Sequence, residues 1–160
     1  MTEFPYDREK AVLYARRWAL GRNPVYYDFS AIGGDCTNFA SQCLFAGAGV
    51  MNYGPVYGWY YVSVKNRAPA WTGVEYLCNF LTGNDSVGPY AREVPLPEAL
   101  PGDVIQLADR TGDFYHTAVL TAVRPEILVA AHDDNSLDRP LSTYAFASLR
   151  VLHIDGVRRR

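Results

Sequence analysis

The chain has 160 residues, enough for about one domain on the usual scale of roughly 100–200 residues each, with 49% hydrophobic and 20% charged residues, the balance of a globular protein. Its formal charge of −2 supplies no field that would draw it to nucleic acid or to an anionic membrane. Three cysteines without the even, closely spaced pattern of a small secreted domain argue against a disulfide framework, and no apolar run reaches the roughly 18 residues of a membrane span.

The N-terminus, Met1 to Asp7, has neither the basic start nor the apolar centre of a signal peptide. As given, the chain reads as cytoplasmic, or as a domain cut from a longer exported protein. No repeat, low-complexity tract or Pro/Ser linker divides it, so residues 1–160 are expected to form one domain.

In chain order, Asp7 is placed to N-cap a first helix. Ala11, Val12, Ala15, Trp18 and Ala19 recur at helical spacing, and Gly21 stops the run. A loop from Asn23 to Gly34 leads to a second helix predicted from about Cys36 to Ala46, ending at Gly47, with Phe39, Ala40, Cys43 and Leu44 on one face. The stretch from Gly49 to Ala70 is rich in Gly, Tyr and Trp and has no clean period. A third helix is predicted over Thr72–Leu81, with Val74, Leu77, Cys78 and Leu81 inward. The second half is β-prone: Val104–Leu107, Thr117–Val123, Ile127–Ala131 and Leu149–Ile154, separated by turn chemistry at Asp109–Asp113 and Arg124–Glu126. Helices first and an antiparallel sheet afterwards define an α+β architecture.

Chemistry centres on Cys36, in Gly33-Gly34-Asp35-Cys36-Thr37-Asn38-Phe39-Ala40-Ser41. Two glycines allow a sharp turn, and the cysteine then opens a helix. The free N–H groups and dipole there favour an anion, which predicts a lowered thiol pKa and a thiolate nucleophile. Those N–H groups are also suited to hold a developing oxyanion. Cys43 and Cys78 fall mid-helix on apolar faces and read as small hydrophobes.

Among the three histidines, His116 stands at the start of a β run, and His153 in Leu152-His153-Ile154 reads as structural. A cysteine at a helix start followed about 80 residues later by a histidine at a strand start is the layout of the papain class. His132 ends the next β run, in His132-Asp133-Asp134-Asn135. Antiparallel pairing would bring it beside His116, where it could orient the imidazole by a hydrogen bond. Asp134 and Asn135 are chemically better orienters, so the third place stays open among His132, Asp134 and Asn135. No Cys-x-x-Cys or His-x-x-x-His spacing suggests a metal site, and no cofactor is implied. Tyr53, Tyr57, Trp59, Tyr60, Tyr61 and Trp71 either wall a cleft, stacking on a peptide or sugar, or fill the core. Asp35, Trp59, Tyr60 and Trp71 are the candidates for substrate contact.

The segment Gly34-Asp35-Cys36-Thr37-Asn38-Phe39-Ala40-Ser41-Gln42-Cys43 closely resembles the signature of the bacterial putative amidase domain family. Asn23-Pro24, Tyr26-Tyr27-Asp28-Phe29, Gly58-Trp59-Tyr60-Tyr61, Arg67 to Thr72, Pro101-Gly102-Asp103-Val104-Ile105-Gln106 and Arg139-Pro140-Leu141-Ser142 extend the likeness over nearly the whole chain. More remotely, the chain is similar to NlpC-type cell-wall peptidases and CHAP amidases. These share Asp-Cys-(Ser/Thr) at the helix start, a Pro-Gly-Asp turn before the sheet and a strand-borne histidine. The resemblance implies a papain-like fold with N-terminal helices packed on an antiparallel sheet, Cys36 as nucleophile, His116 as base and His132 as the third polar residue. It also implies an amidase or peptidase that acts on a peptide or a peptidoglycan fragment. The rival readings are a Cys–His acyltransferase and a non-catalytic binding module on the same fold.

Overall fold

The computed structural model describes residues 1–160. Strand β1 (Thr2–Phe4) precedes helix α1 (Arg8–Trp18), and helix α2 spans Cys36–Ala48. A two-stranded ribbon, β2 (Tyr61–Ser63) with β3 (Asn66–Arg67), leads to the short α3 (Pro69–Thr72) and to α4 (Val74–Gly83). The remaining strands are β4 (Gly88–Val94), β5 (Val104–Ala108), β6 (Phe114–Ala122), β7 (Leu128–Ala131), β8 (Ser136–Pro140) and β9 (Ser148–Arg159). All pairings in the seven-stranded sheet are antiparallel. The long β9 takes β5 and then β1 along one edge and β4 along the other, and β6, β7 and β8 follow β5 in order. The molecule is therefore α+β, with helices packed on an antiparallel sheet. No helix is long and apolar enough to cross a membrane.

Asp7 caps α1 as its sequence position suggests, accepting from the Lys10 N–H at 3.0 Å. The end of α2 differs from expectation. Gly47 lies inside the helix, because α1 and α2 approach so closely there that a Cβ would stand 2.5 Å from the Tyr6 ring and 2.7 Å from the Asp7 carbonyl. The stop is Gly49, in the left-handed conformation at φ 72°. The third predicted helix corresponds to α4, shifted two residues later at each end, and Pro69 starts a separate turn, α3, before it.

Strand β6 carries the helices on one side and a second core on the other. Val119 packs with Ala15, Phe39, Ala40 and Cys43 of α1 and α2. Ala118 and Leu120, pointing the opposite way, pack with Val129, Leu141 and Val151. The Pro101-Gly102-Asp103 turn anchors the start of β5. The fully buried Asp103 carboxylate accepts from Arg8 Nη1 (2.7 Å), His153 Nδ1 (2.8 Å), the Leu100 N–H (2.9 Å) and the Ile154 N–H (3.0 Å). His153 thus ties β9 to β5. Gly102 holds φ +90° with Arg8 atoms 3.3–3.4 Å from where a Cβ would be. Gly102→Ala is expected to lose about 1–2 kcal/mol, the cost of a side chain in the left-handed region, read as a lowered denaturant midpoint.

Candidate active site

The second glycine of Gly33-Gly34 and Asp35 are held by the turn that follows β7. Asp133, at φ 80°, accepts the Asp35 N–H at 2.7 Å, and a Cβ on Gly34 would lie 3.0 Å from its other oxygen. This close approach, together with φ +102° at Gly34, explains the glycine before the motif. Asp35 then turns the chain into α2, and Cys36 is the first helical residue.

The polar side chains of the motif anchor its surroundings. The fully buried Asp35 accepts from the Phe29 N–H (2.8 Å) and Asn38 Nδ2 (2.9 Å) on one oxygen. Its other oxygen meets His132 Nδ1 (2.5 Å) and lies 3.4 Å from Arg22 Nε. One turn along α2, Asn38 accepts the indole N–H of Trp71 (3.0 Å), and Ser41 accepts that of Trp59 (3.0 Å). Thr37 points to the sheet, its hydroxyl 2.9 Å from that of Thr117 on β6. Thr117 in turn accepts from Gln106 Nε2 at 3.2 Å.

Cys36 is 7% exposed. Its sulfur lies 3.8 Å from the Thr37 hydroxyl. Burial pushes the Cys36 thiol up, and the Thr117 backbone N–H and the Thr37 hydroxyl and N–H, which favour the thiolate, offset this only in part. This direction is opposite to the lowered pKa expected from the helix start, and burial is its largest cause. The Thr117 N–H belongs to the peptide that joins Thr117 to His116. The Thr37–Thr117 contact sets the start of α2 against β6 at the residue that follows His116.

His116 is 9% exposed and its Nε2 is buried without a hydrogen-bond partner. No hydrogen bond joins it to Cys36. Its ring neighbours Tyr144, centroid to centroid 5.6 Å, whose hydroxyl is likewise buried and unpaired. Burial pushes the imidazole below the usual histidine range, while the Asp134 and Asp133 carboxylates pull the other way and Arg139 adds to the lowering.

The third candidates are dispersed. Both ring nitrogens of His132 are taken, Nδ1 by Asp35 and Nε2 by the Trp18 carbonyl at 2.8 Å, and its ring stacks on Phe39 at 4.0 Å. It makes no bond to His116, because its β7 position turns it toward α1 and α2. Asn135 accepts from Arg22 Nη1 at 3.0 Å. Asp134 pairs with Arg139 at 2.5 Å, and that guanidinium lies 3.6 Å over the Tyr144 ring.

Of the residues expected to contact substrate, Trp59 and Trp71 have no exposed surface and sit in the main core. Asp35 is equally enclosed, so none of these three presents surface to a ligand. Tyr60 is half-buried, tilted against Tyr53 at 5.5 Å. Thr37, Asn38, Gln106, Thr117 and Tyr144 join the surroundings of the site although the sequence singles out none of them. Three of them, Thr37, Asn38 and Gln106, lie inside the matched motifs, which was the available signal.

The model of the family described as "Putative amidase domain" matches residues 5–154. The chain belongs to this family. A curated relative, "Uncharacterized protein YhbB" of Bacillus subtilis (strain 168), is 36% identical over 122 residues, covering 74% of this chain and 38% of YhbB. The chain thus spans well under half the length of that relative. No solved structure matches.

The thiols also carry a pH consequence for stability. Burial raises Cys36, Cys43 and Cys78 alike, so the folded state holds these protons more tightly than the unfolded chain. The stability they contribute is complete below the unfolded thiol pKa, about 8.5, and is lost as pH rises toward the folded values. Urea midpoints measured across the alkaline range are expected to fall from that point upward.

Proposed function

We propose that this amidase-family domain is a cysteine-dependent amidase or peptidase on a papain-like fold, with Cys36 as nucleophile and His116 as general base. The observation that carries the reading is the meeting of the α2 N-terminus with β6, where the Thr37 and Thr117 hydroxyls lie 2.9 Å apart and set the residues beside Cys36 and His116 against each other. A raised thiol and a lowered imidazole favour a neutral resting pair over a thiolate–imidazolium pair. His116 then accepts the thiol proton as sulfur attacks the amide carbonyl, and the free N–H groups of the first turn of α2 receive the oxyanion. The imidazolium gives the proton to the leaving amine, and water releases the acyl group from sulfur. The missing Cys36–His116 hydrogen bond fits this order, since such bonds often tighten only when substrate is in place.

Asp134 is our choice for the group that steadies the imidazolium, because its carboxylate is the largest charge influence on His116 and His132 is already committed to Asp35. Peptide amides, those of peptidoglycan stem peptides first, are the substrate class suggested by the remote likeness to cell-wall peptidases. Alkylation tests the pair. Iodoacetamide is expected to modify Cys36 faster than Cys43 or Cys78 at pH 7–8 and more slowly in a His116→Ala variant. Equal rates for the three thiols, or a Cys36 rate indifferent to His116, would overturn it.

A further inference from the structure

Of the aromatics expected to wall a cleft, Tyr57 borders a cavity away from Cys36. The loop after the C-terminal end of α2, the end away from Cys36, and the last turns of α4 enclose a cavity of about 530 Å3, within the roughly 300–1,000 Å3 of small-molecule sites. Neither Cys36 nor His116 lines it. Its lining includes one carboxylate, Asp85, and no cation, so a phosphate or carboxylate ligand finds no counter-charge there.

What it offers is neutral and polar. The side chains of Tyr57, Tyr76, Asn79 and Ser86 line the cavity and make no hydrogen bond within the chain. Asn84, by contrast, is used up on the Val87 and Pro89 carbonyls and the Ser86 N–H. Tyr57 is 89% exposed and Tyr76 61%, beside an apolar floor of Phe80 and Ala70. An aromatic ring with a polar tip beside the free Asn79 amide and Ser86 hydroxyl suits a pyranose, which has a face of C–H groups and a rim of hydroxyls.

The loop that presents Tyr57 is rigidly framed. Asn52 and Trp59 exchange both backbone bonds, at 2.9 and 2.7 Å, and the Gly58 N–H closes on the Gly54 carbonyl at 2.9 Å. A Cβ on Gly58 would stand 2.3 Å from that carbonyl, so only glycine fits. At the tip, Val56 is held at φ 66°, a conformation β-branched residues avoid. Strain of this kind, over-determined by its surroundings, is concentrated at ligand clamps.

We propose that this cavity is a binding subsite for a neutral saccharide, separate from Cys36 and independent of the amidase reading. Tri-N-acetylchitotriose and maltotriose, each titrated into the full chain by calorimetry and followed by NMR shifts, provide the test. At least one is expected to bind saturably in the millimolar range. Tyr57→Ala, an exposed change that leaves the fold intact, is expected to weaken binding about tenfold, the value of one aromatic stack, and Asn79→Ala should weaken it to a lesser degree. The proposal is overturned if neither sugar binds at about 10 mM, where a millimolar site saturates. It is also overturned if binding survives both Tyr57→Ala and Tyr76→Ala, or if a neutral tetrapeptide displaces the sugar at lower concentration.

Discussion

Cys36→Ser is expected to remove amide hydrolysis by about 10³-fold or more on any peptide or peptidoglycan fragment that the wild type cleaves, since a hydroxyl lacks the nucleophilicity of sulfur. His116→Ala is expected to cost about 10²–10⁴-fold, the usual value of a positioned general base. The double variant should be no slower than the worse single one, because residues that act as a unit are not additive. Stability should move differently. The His116 Nε2 is buried without a partner, so truncation relieves a desolvation penalty of about 1–3 kcal/mol while giving up packing against Tyr144. The melting midpoint of His116→Ala should therefore stay level or rise as activity collapses, as when an active site is held at the expense of stability. Burial also lowers the imidazole, so His116 remains a free base somewhat below the usual histidine range. The acid limb of kcat/KM is accordingly expected below about pH 6.5. A Cys36→Ser variant that keeps its rate, measured by mass-spectrometric product analysis, removes Cys36 from the chemistry.

The site's start was readable because its signals are local. Two glycines before Cys36 and apolar spacing after it place a helix start at that residue, and α2 begins there. The end of α2 was misplaced at Gly47 because glycine has two uses, and only the neighbouring helix reveals which applies: Gly47 admits the Tyr6 ring. The thiol's direction of shift was also hidden, since the helix dipole is a local property whereas burial is set by strands about 80 residues away. Strand β4 is not among the expected elements: it begins with Gly88 and Pro89, residues disfavoured in strands, yet they pair with β9 at its end. His132 ends β7 as expected, and its ring bonds Asp35 and the Trp18 carbonyl. Strand adjacency fixes which backbone lies beside which, but the side chain's direction depends on parity and on the irregularity between Val129 and Ala131.

Asp35→Ala is expected to destabilise the fold by about 3–5 kcal/mol, because several buried donors lose their acceptor at once and each unsatisfied group costs about 1–3 kcal/mol. Against the roughly 5–15 kcal/mol of a whole domain this is a large fraction, and at 2–4 °C per kcal/mol it lowers the melting midpoint by about 10 °C. The carboxylate holds the Phe29 N–H, Asn38 and His132 at once, so the truncation leaves a main-chain donor and an imidazole without an acceptor. The same measurement separates two roles for His132. If its work is to hold Asp35, then His132→Ala also lowers the midpoint, and the Asp35→Ala/His132→Ala double variant is far less destabilised than the sum of the singles. If instead His132 orients His116 during turnover, its removal lowers kcat strongly while the two stability effects simply add. With both ring nitrogens bound, to Asp35 and to the Trp18 carbonyl, the first outcome is the expected one. The histidine then serves the nucleophile indirectly, by fixing the residue from which the Cys36 helix begins.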